Sequence, residues 1–229
     1  AALRAVVLEG PKVLGKTETA LRRARRNYRL DDPTQRAIAE ADPSVMLAAE
    51  PPVLIDEWQH VPPVFDAVRR AVDAGAPAGQ FLLAGSAAPP AGPTHSGAGR
   101  IVTLRMRPLS LGERRLATPT VSLRAMLDGR QPPVEGSAAL ALRDYTREIL
   151  ASGFPGLRHL TGRALRAQLD GYLARVIDRD VEEQGYTVRK PETLRRWMTA
   201  YATATATTTS YEKIRDGATA GEAAKPNRR

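Results

Sequence analysis

An apolar run from Leu3 to Glu9 (LRAVVLE) ends at a glycine, and the octet Gly10-Pro11-Lys12-Val13-Leu14-Gly15-Lys16-Thr17 fills every position of G-x-x-x-x-G-K-[ST]. Helical spacing starts at Glu18. No other feature limits the fold as strongly. The chain must leave a buried strand, wrap its backbone N–H groups around an anion and enter a helix within about eight residues. Gly10 and Gly15 supply the positive φ angles that such a wrap needs. The helix start adds partial positive charge at the same point. Lys16 is the mobile cation for the β- and γ-phosphates, and Thr17 offers a hydroxyl to Mg2+. The predicted nucleotide-binding stretch is therefore Gly10, Pro11, Lys12, Val13, Leu14, Gly15, Lys16, Thr17 and Glu18.

The remaining pattern extends this unit into an α/β sheet. Val53-Leu54-Ile55 and Phe81-Leu82-Leu83-Ala84 are apolar throughout, and Ile101–Leu104 reads as a further strand. The spacing predicts helices over Glu18–Tyr28, after Asp31-Asp32-Pro33 (which also stops a short strand), after Pro43, and over Val64–Ala74. Strands apolar on both faces, alternating with amphipathic helices, predict a parallel sheet covered on both sides. Ala87–Gly99 reads as a surface loop. From Pro108 the character becomes mainly helical, with joints at Gly129–Gly136 and Gly153–Gly156. Tyr201–Thr209 (YATATATTT) reads as helix, and Gly221–Arg229 as a polar tail.

An anion loop binds but does not by itself hydrolyse. The strand at Val53–Ile55 delivers Asp56 and Glu57 at its C-terminal end, the edge where the loop also lies in an open α/β sheet. Asp56 is the candidate Mg2+ ligand together with Thr17. Glu57 is the candidate catalytic residue that orients the attacking water. Ser86, after Phe81–Ala84 and Gly85, places a hydroxyl near the γ-phosphate or that water. The acid pair disfavours a kinase, which must avoid activating water.

Composition narrows the field. The absence of cysteine excludes disulfides, thiolate nucleophiles and Cys-ligated zinc, and it fits a reducing compartment. No run of 18 apolar residues supports a membrane span. Net charge is +9, but only five of the 34 basic residues are lysine. That Arg-rich balance weakens the charge as a sign of a polyanionic partner.

The strings GPKVLGKT, VLIDEWQHVP, FLLAGSA, GAGR and RMRPLSLGE resemble the prokaryotic AAA+ ATPases that carry a C-terminal domain of unknown function, DUF4143. The resemblance runs from Val6 to about Glu113. It continues more weakly through SGFPGLR, YLARVIDRDV and ATATATTTSYEKI. It implies an AAA+ type P-loop NTPase core over residues 1–128, a helical lid-like segment over 129–184, and the start of a winged-helix-like region over 185–229, in a truncated fragment. It also implies ATP and Mg2+ as ligands, Ser86 as the sensor residue, and a cytoplasmic setting. Ala84 stands where family members usually carry Thr.

Such enzymes need an arginine at the γ-phosphate, often from a neighbouring copy. Arg100, Arg105 and Arg107 lie in the right region, Arg114 and Arg115 are alternatives, and the sequence does not choose among them. The clusters Arg22–Arg26, Arg175–Arg179 and Arg195-Arg196 are candidate DNA contacts, with few aromatic residues to support base stacking. His60, His95 and His159 have no metal-ligand spacing, and His60 reads as a cap after the acid strand. Two readings remain at this point: an ATP hydrolase coupled to conformational change, and a nucleotide-dependent DNA- or protein-binding switch with negligible turnover.

Overall fold

In the computed structural model, the described residues are 3–86, 97–131, 133–183, 186–188 and 190–221. The chain divides into two units, Ala1–Leu165 and Arg166–Arg229. That division falls inside the expected 129–184 segment rather than at either of its ends.

The first unit is built on five parallel strands: β1 (Ala5–Glu9), β2 (Arg26–Arg29), β3 (Val53–Asp56), β4 (Phe81–Gly85) and β5 (Ile101–Arg105). Their spatial order is β2-β3-β4-β1-β5. Alternation sorts the side chains onto two faces. Ala5, Val7, Val53, Ile55, Phe81 and Leu83 point to one face. There they meet Val64, Phe65, Val68 and Val72 of helix α4 (Pro63–Asp73), with Ala39 of α2 (Pro33–Ala41) and Met46 of α3 (Ser44–Leu47). Leu8, Leu54 and Ala84 point to the other face, where Ala20 of α1 (Lys16–Leu21) packs on them. Each fully buried Leu, Ile, Val or Phe contributes about 1.5–3 kcal/mol.

Local chemistry explains the helix boundaries. Asp32 caps α2, accepting from the N–H groups of Thr34 (2.8 Å) and Gln35 (3.1 Å), and Pro33 begins the first turn. The expected helix over Glu18–Tyr28 is corrected: α1 stops at Leu21, and Arg26–Arg29 forms β2 instead. A helix through this stretch would stack Arg22, Arg23, Arg25 and Arg26 at spacings of three and four, where like charges repel. Strand pairing wins, beginning where the Arg25 N–H donates to the Pro52 carbonyl (2.8 Å).

Beyond the sheet, α5 (Leu123–Leu127), α6 (Leu142–Leu150) and α7 (Gly162–Arg175) confirm the change to helix after Pro108. Arg114 and Arg158 both pair with Glu148 of α6, at 3.1 and 2.8 Å. In the second unit the helical path continues through a wide turn at Val176–Asp180 and α8 (Val181–Glu183) to α9 (Pro191–Thr203) and α10 (Tyr211–Ala218). Trp197, Tyr201 and Tyr211 stack in series, with ring centroids 5.3 and 6.3 Å apart. The expected helix over Tyr201–Thr209 reaches only Thr203 and gives way to a turn. Among the described residues from 186 to 221 there is no strand, so the wing of a winged helix has no counterpart there. Most of the predicted 87–99 loop, His95 and nearly all of the 221–229 tail lie outside the described residues. No helix among the described residues is long and apolar enough to cross a membrane.

Candidate functional site

Parallel pairing brings the C-terminal ends of β1, β3 and β4 to one edge. Glu9 is in register with Gly85, and Asp56 with Ala84. Because β4 lies between β1 and β3, Ser86 emerges between the glycine loop and the acid pair.

The loop follows β1 as the motif requires. Gly10 has φ 150°, and a Cβ there would stand 2.6 Å from the Met106 carbonyl oxygen. Gly15 is left-handed (φ 81°, ψ 27°) and immediately precedes α1. Val13 also has positive φ, 71°, which the sequence did not announce. A β-branched residue in that region stores strain of about 1–3 kcal/mol. Leu14 is buried and anchors the loop, while Pro11, Lys12 and Val13 are exposed. Glu18 is exposed in the first turn of α1. With only six residues in α1, the cradle rests on the loop and Lys16 more than on a helix dipole.

Lys16 is buried, and its ammonium donates to the carbonyls of Gly10 (2.9 Å) and Pro11 (2.8 Å). Burial pulls its pKa below the ordinary lysine value, while the charges of Glu57 and Asp56 oppose that drop. The Thr17 hydroxyl donates to the Asp56 carboxylate, 3.1 Å from Oδ1 and 3.0 Å from Oδ2. Asp56 is 4% exposed. Desolvation raises its pKa, the Thr17 hydrogen bond opposes this, and the Glu57 charge adds to the rise. A positive ion at this spot would oppose that rise by favouring the charged carboxylate.

The donor set suits Mg2+. A hydroxyl and a carboxylate supply two hard oxygens, and Mg2+ commonly keeps waters and substrate phosphate oxygens as its other ligands. No cluster of three or more His, Asp or Glu able to hold a metal occurs among the described residues. A fully protein-built cage is therefore not what this part of the chain offers.

Glu57 follows β3 in the left-handed region (φ 53°, ψ 41°) and is half-buried. Its Oε2 accepts from the side-chain amide of Gln59. Gln59 belongs to a short helical turn, Trp58–His60, in which Trp58 is buried against Phe65 (centroids 5.1 Å apart). Sequence reasoning gave Gln59 no role, although it stands in the same IDEWQ string as the acids. His60 closes that turn, its N–H donating to the Glu57 carbonyl (3.0 Å), and His60 and His159 are exposed.

The candidate arginines separate by position. Arg100 lies at the opposite end of β5 from the loop, and its side chain donates to Asp73 (2.8 Å) and to the Ala98 carbonyl (3.2 Å). Arg114 is held by the Leu109 carbonyl (2.8 Å) and by Glu148. Arg100 is therefore not placed at the loop edge of its own sheet. Arg105, in register with Glu9, and Arg107 are exposed at that edge.

Sheet order, glycine loop and acid pair together give a parallel α/β core of P-loop type, followed by a helical segment. Residues 3–114 match the family model described as an AAA domain, nearly the span of the sequence resemblance. Residues 142–225 match a domain of unknown function, DUF8612, and not the DUF4143 that the resemblance implied. No curated protein matches the chain.

Proposed function

We propose that this chain binds ATP with Mg2+ and hydrolyses it. The observation that carries the reading is the hydrogen bond between Thr17 and Asp56, residues 39 positions apart that no local pattern would join. Gly10–Gly15 would wrap the phosphates with backbone N–H groups, and Lys16 would move from the Gly10 and Pro11 carbonyls onto phosphate oxygens. Thr17 Oγ1 and the Asp56 carboxylate are the donors that would hold Mg2+, which supplies neutralising charge at the β- and γ-phosphates. Glu57 would orient the attacking water and accept its proton. Ser86, emerging between the two halves, would contact the γ-phosphate or that water.

The wider reading follows from the same arrangement. Turnover would reposition the helical unit. A second copy of the chain in a cytoplasmic homo-oligomer would present an arginine to the γ-phosphate, with Arg105 and Arg107 as the exposed candidates. DNA is the candidate partner of the second unit, where Arg195 and Arg196 border a cleft of about 500 Å3 with Thr199, Thr203 and Gly217. A switch with negligible turnover is the competing reading.

Phosphate release with excess ATP and Mg2+ tests the proposal. Glu57→Gln is expected to lower kcat at least 100-fold with nucleotide affinity kept. Lys16→Ala is expected to weaken affinity at least tenfold. Equal rates for wild type and Glu57→Gln would leave the switch as the better account.

A further inference from the structure

We propose that Gln59 is a positioning residue for Glu57, fixing the carboxylate that orients water; the inference rests on the hydrolytic reading above. Glu57 leaves β3 with a left-handed backbone (φ 53°, ψ 41°), which turns the chain so that side chains two positions apart can meet. The Gln59 Nε2–H group donates to Glu57 Oε2. A glutamate side chain has three rotatable bonds, and a donor on one oxygen removes most of that freedom. Oε1 is left as the oxygen that Gln59 does not engage. Turning the amide over would set two acceptors against each other, so the donor orientation follows from the pairing.

Gln59 is itself restrained from behind. Its Oε1 is buried without a hydrogen-bond partner among the described residues, and so is the Nε1 of Trp58. Both atoms close on one point beside Gly85: a Cβ there would lie 2.5 Å from Gln59 Oε1 and 2.9 Å from Trp58 Nε1. An acceptor and a donor are thus held against the end of β4, the strand that separates the glycine loop from the acids. The amide that this packing holds in place directs its N–H at Glu57, so the orientation of Glu57 is what Gln59 fixes. Gln59 touches neither nucleotide nor water in this scheme; it acts only through Glu57.

The test uses the full chain and separates kcat from KM. Gln59→Met keeps the length and bulk of the side chain without the donor, and Gln59→Glu keeps the shape but sets an anion against Glu57. Both are expected to lower kcat for ATP roughly 10- to 100-fold, the range that small misplacement of a reacting group produces. For Gln59→Met, KM, affinity for a non-hydrolysable ATP analogue and thermal midpoint should stay close to wild type. A kcat within twofold of wild type for Gln59→Met would overturn the proposal. A loss of analogue affinity and thermal midpoint in step with kcat would also overturn it, because it would mark a structural role. Glu57→Gln, measured in parallel, keeps the two levels distinct. If it matches wild type, the hydrolytic reading fails and takes this inference with it. If it abolishes turnover while Gln59→Met does not, only the Gln59 inference fails.

Discussion

Two glycines of one loop should differ in what alanine does to them, because their surroundings differ. Gly10 and Gly15 both have positive φ, 150° and 81°. At Gly15 an added Cβ meets nothing within 4 Å. Gly15→Ala therefore carries the left-handed penalty of about 1–2 kcal/mol, less about 0.4–1 kcal/mol from a stiffer unfolded chain. The net cost is about 1 kcal/mol. At Gly10 the Cβ would stand 2.6 Å from the Met106 carbonyl oxygen and 3.0 Å from Leu14 Cδ1. An ordinary C–H···O contact needs about 3.3–3.6 Å. Met106 cannot retreat freely, since its own N–H donates to the Glu9 carbonyl at 2.7 Å. Overpacking adds about 1–3 kcal/mol to the strain, for a total near 3 kcal/mol. With a urea slope of about 2 kcal/mol/M, the midpoint should fall by ~1.5 M for Gly10→Ala and ~0.5 M for Gly15→Ala. The assay is urea unfolding followed by Trp58 fluorescence in a Trp197→Phe background, since the chain has two tryptophans and Trp58 is the buried one of the sheet unit. Equal midpoints for the two variants, or a lower one for Gly15→Ala, would refute the clash argument.

Leu54→Ala should cost about 3–4 kcal/mol, because Leu54 is fully buried between β3 and α1; calorimetry checks this, and a loss under 1 kcal/mol would contradict the packing. Glu148 pairs first with Arg158 and then with Arg114, which hold its carboxyl below the ordinary 4.5. A depressed folded pKa gives stability that is present above the unfolded value and lost as pH falls through the folded one. Glu148→Gln should therefore unfold about 1–2 kcal/mol more easily than wild type at pH 7, and the gap should close well below pH 4.5 in urea titrations run across pH. Thr17→Val removes the hydroxyl that donates to Asp56; the Mg2+ concentration for half-maximal nucleotide binding should rise at least tenfold, and an unchanged Mg2+ requirement would remove Thr17 from the site.

The parts legible in the sequence were those fixed by short-range rules. The glycine loop, the cap at Asp32 and the apolar strands β1, β3 and β4 follow from motif and period. The meeting of Thr17 with Asp56 was legible because strand polarity places both at the same sheet edge. What failed to show was set by tertiary competition. Arg25 and Arg26 abandon helical spacing because Pro52 and β3 offer backbone pairing. Arg100 looked like a candidate for the γ-phosphate until the register of β5 put it at the opposite edge, beside Asp73. Gln59 counted only as a letter of the VLIDEWQHVP resemblance, without a role, because its significance is a contact with Glu57 that a string of letters does not record. Val13 in a left-handed conformation was hidden for a related reason, since the loop closure and not the residue's own preference sets its backbone.

Gly85 gives β4 a consequence beyond the space it leaves. Phe81-Leu82-Leu83-Ala84 is oily on both sides, so an in–out alternation cannot tell one alignment of that strand from the next. The Trp58 and Gln59 side chains crowd one α-carbon so closely that only a residue lacking a side chain fits beneath them. Sliding the strand by a single position would bring a methyl or a hydroxymethyl group into that notch. A glycine thus works as the key that sets the alignment of the central strand, and with it the separation of the two flanking strands whose tips must meet one ligand.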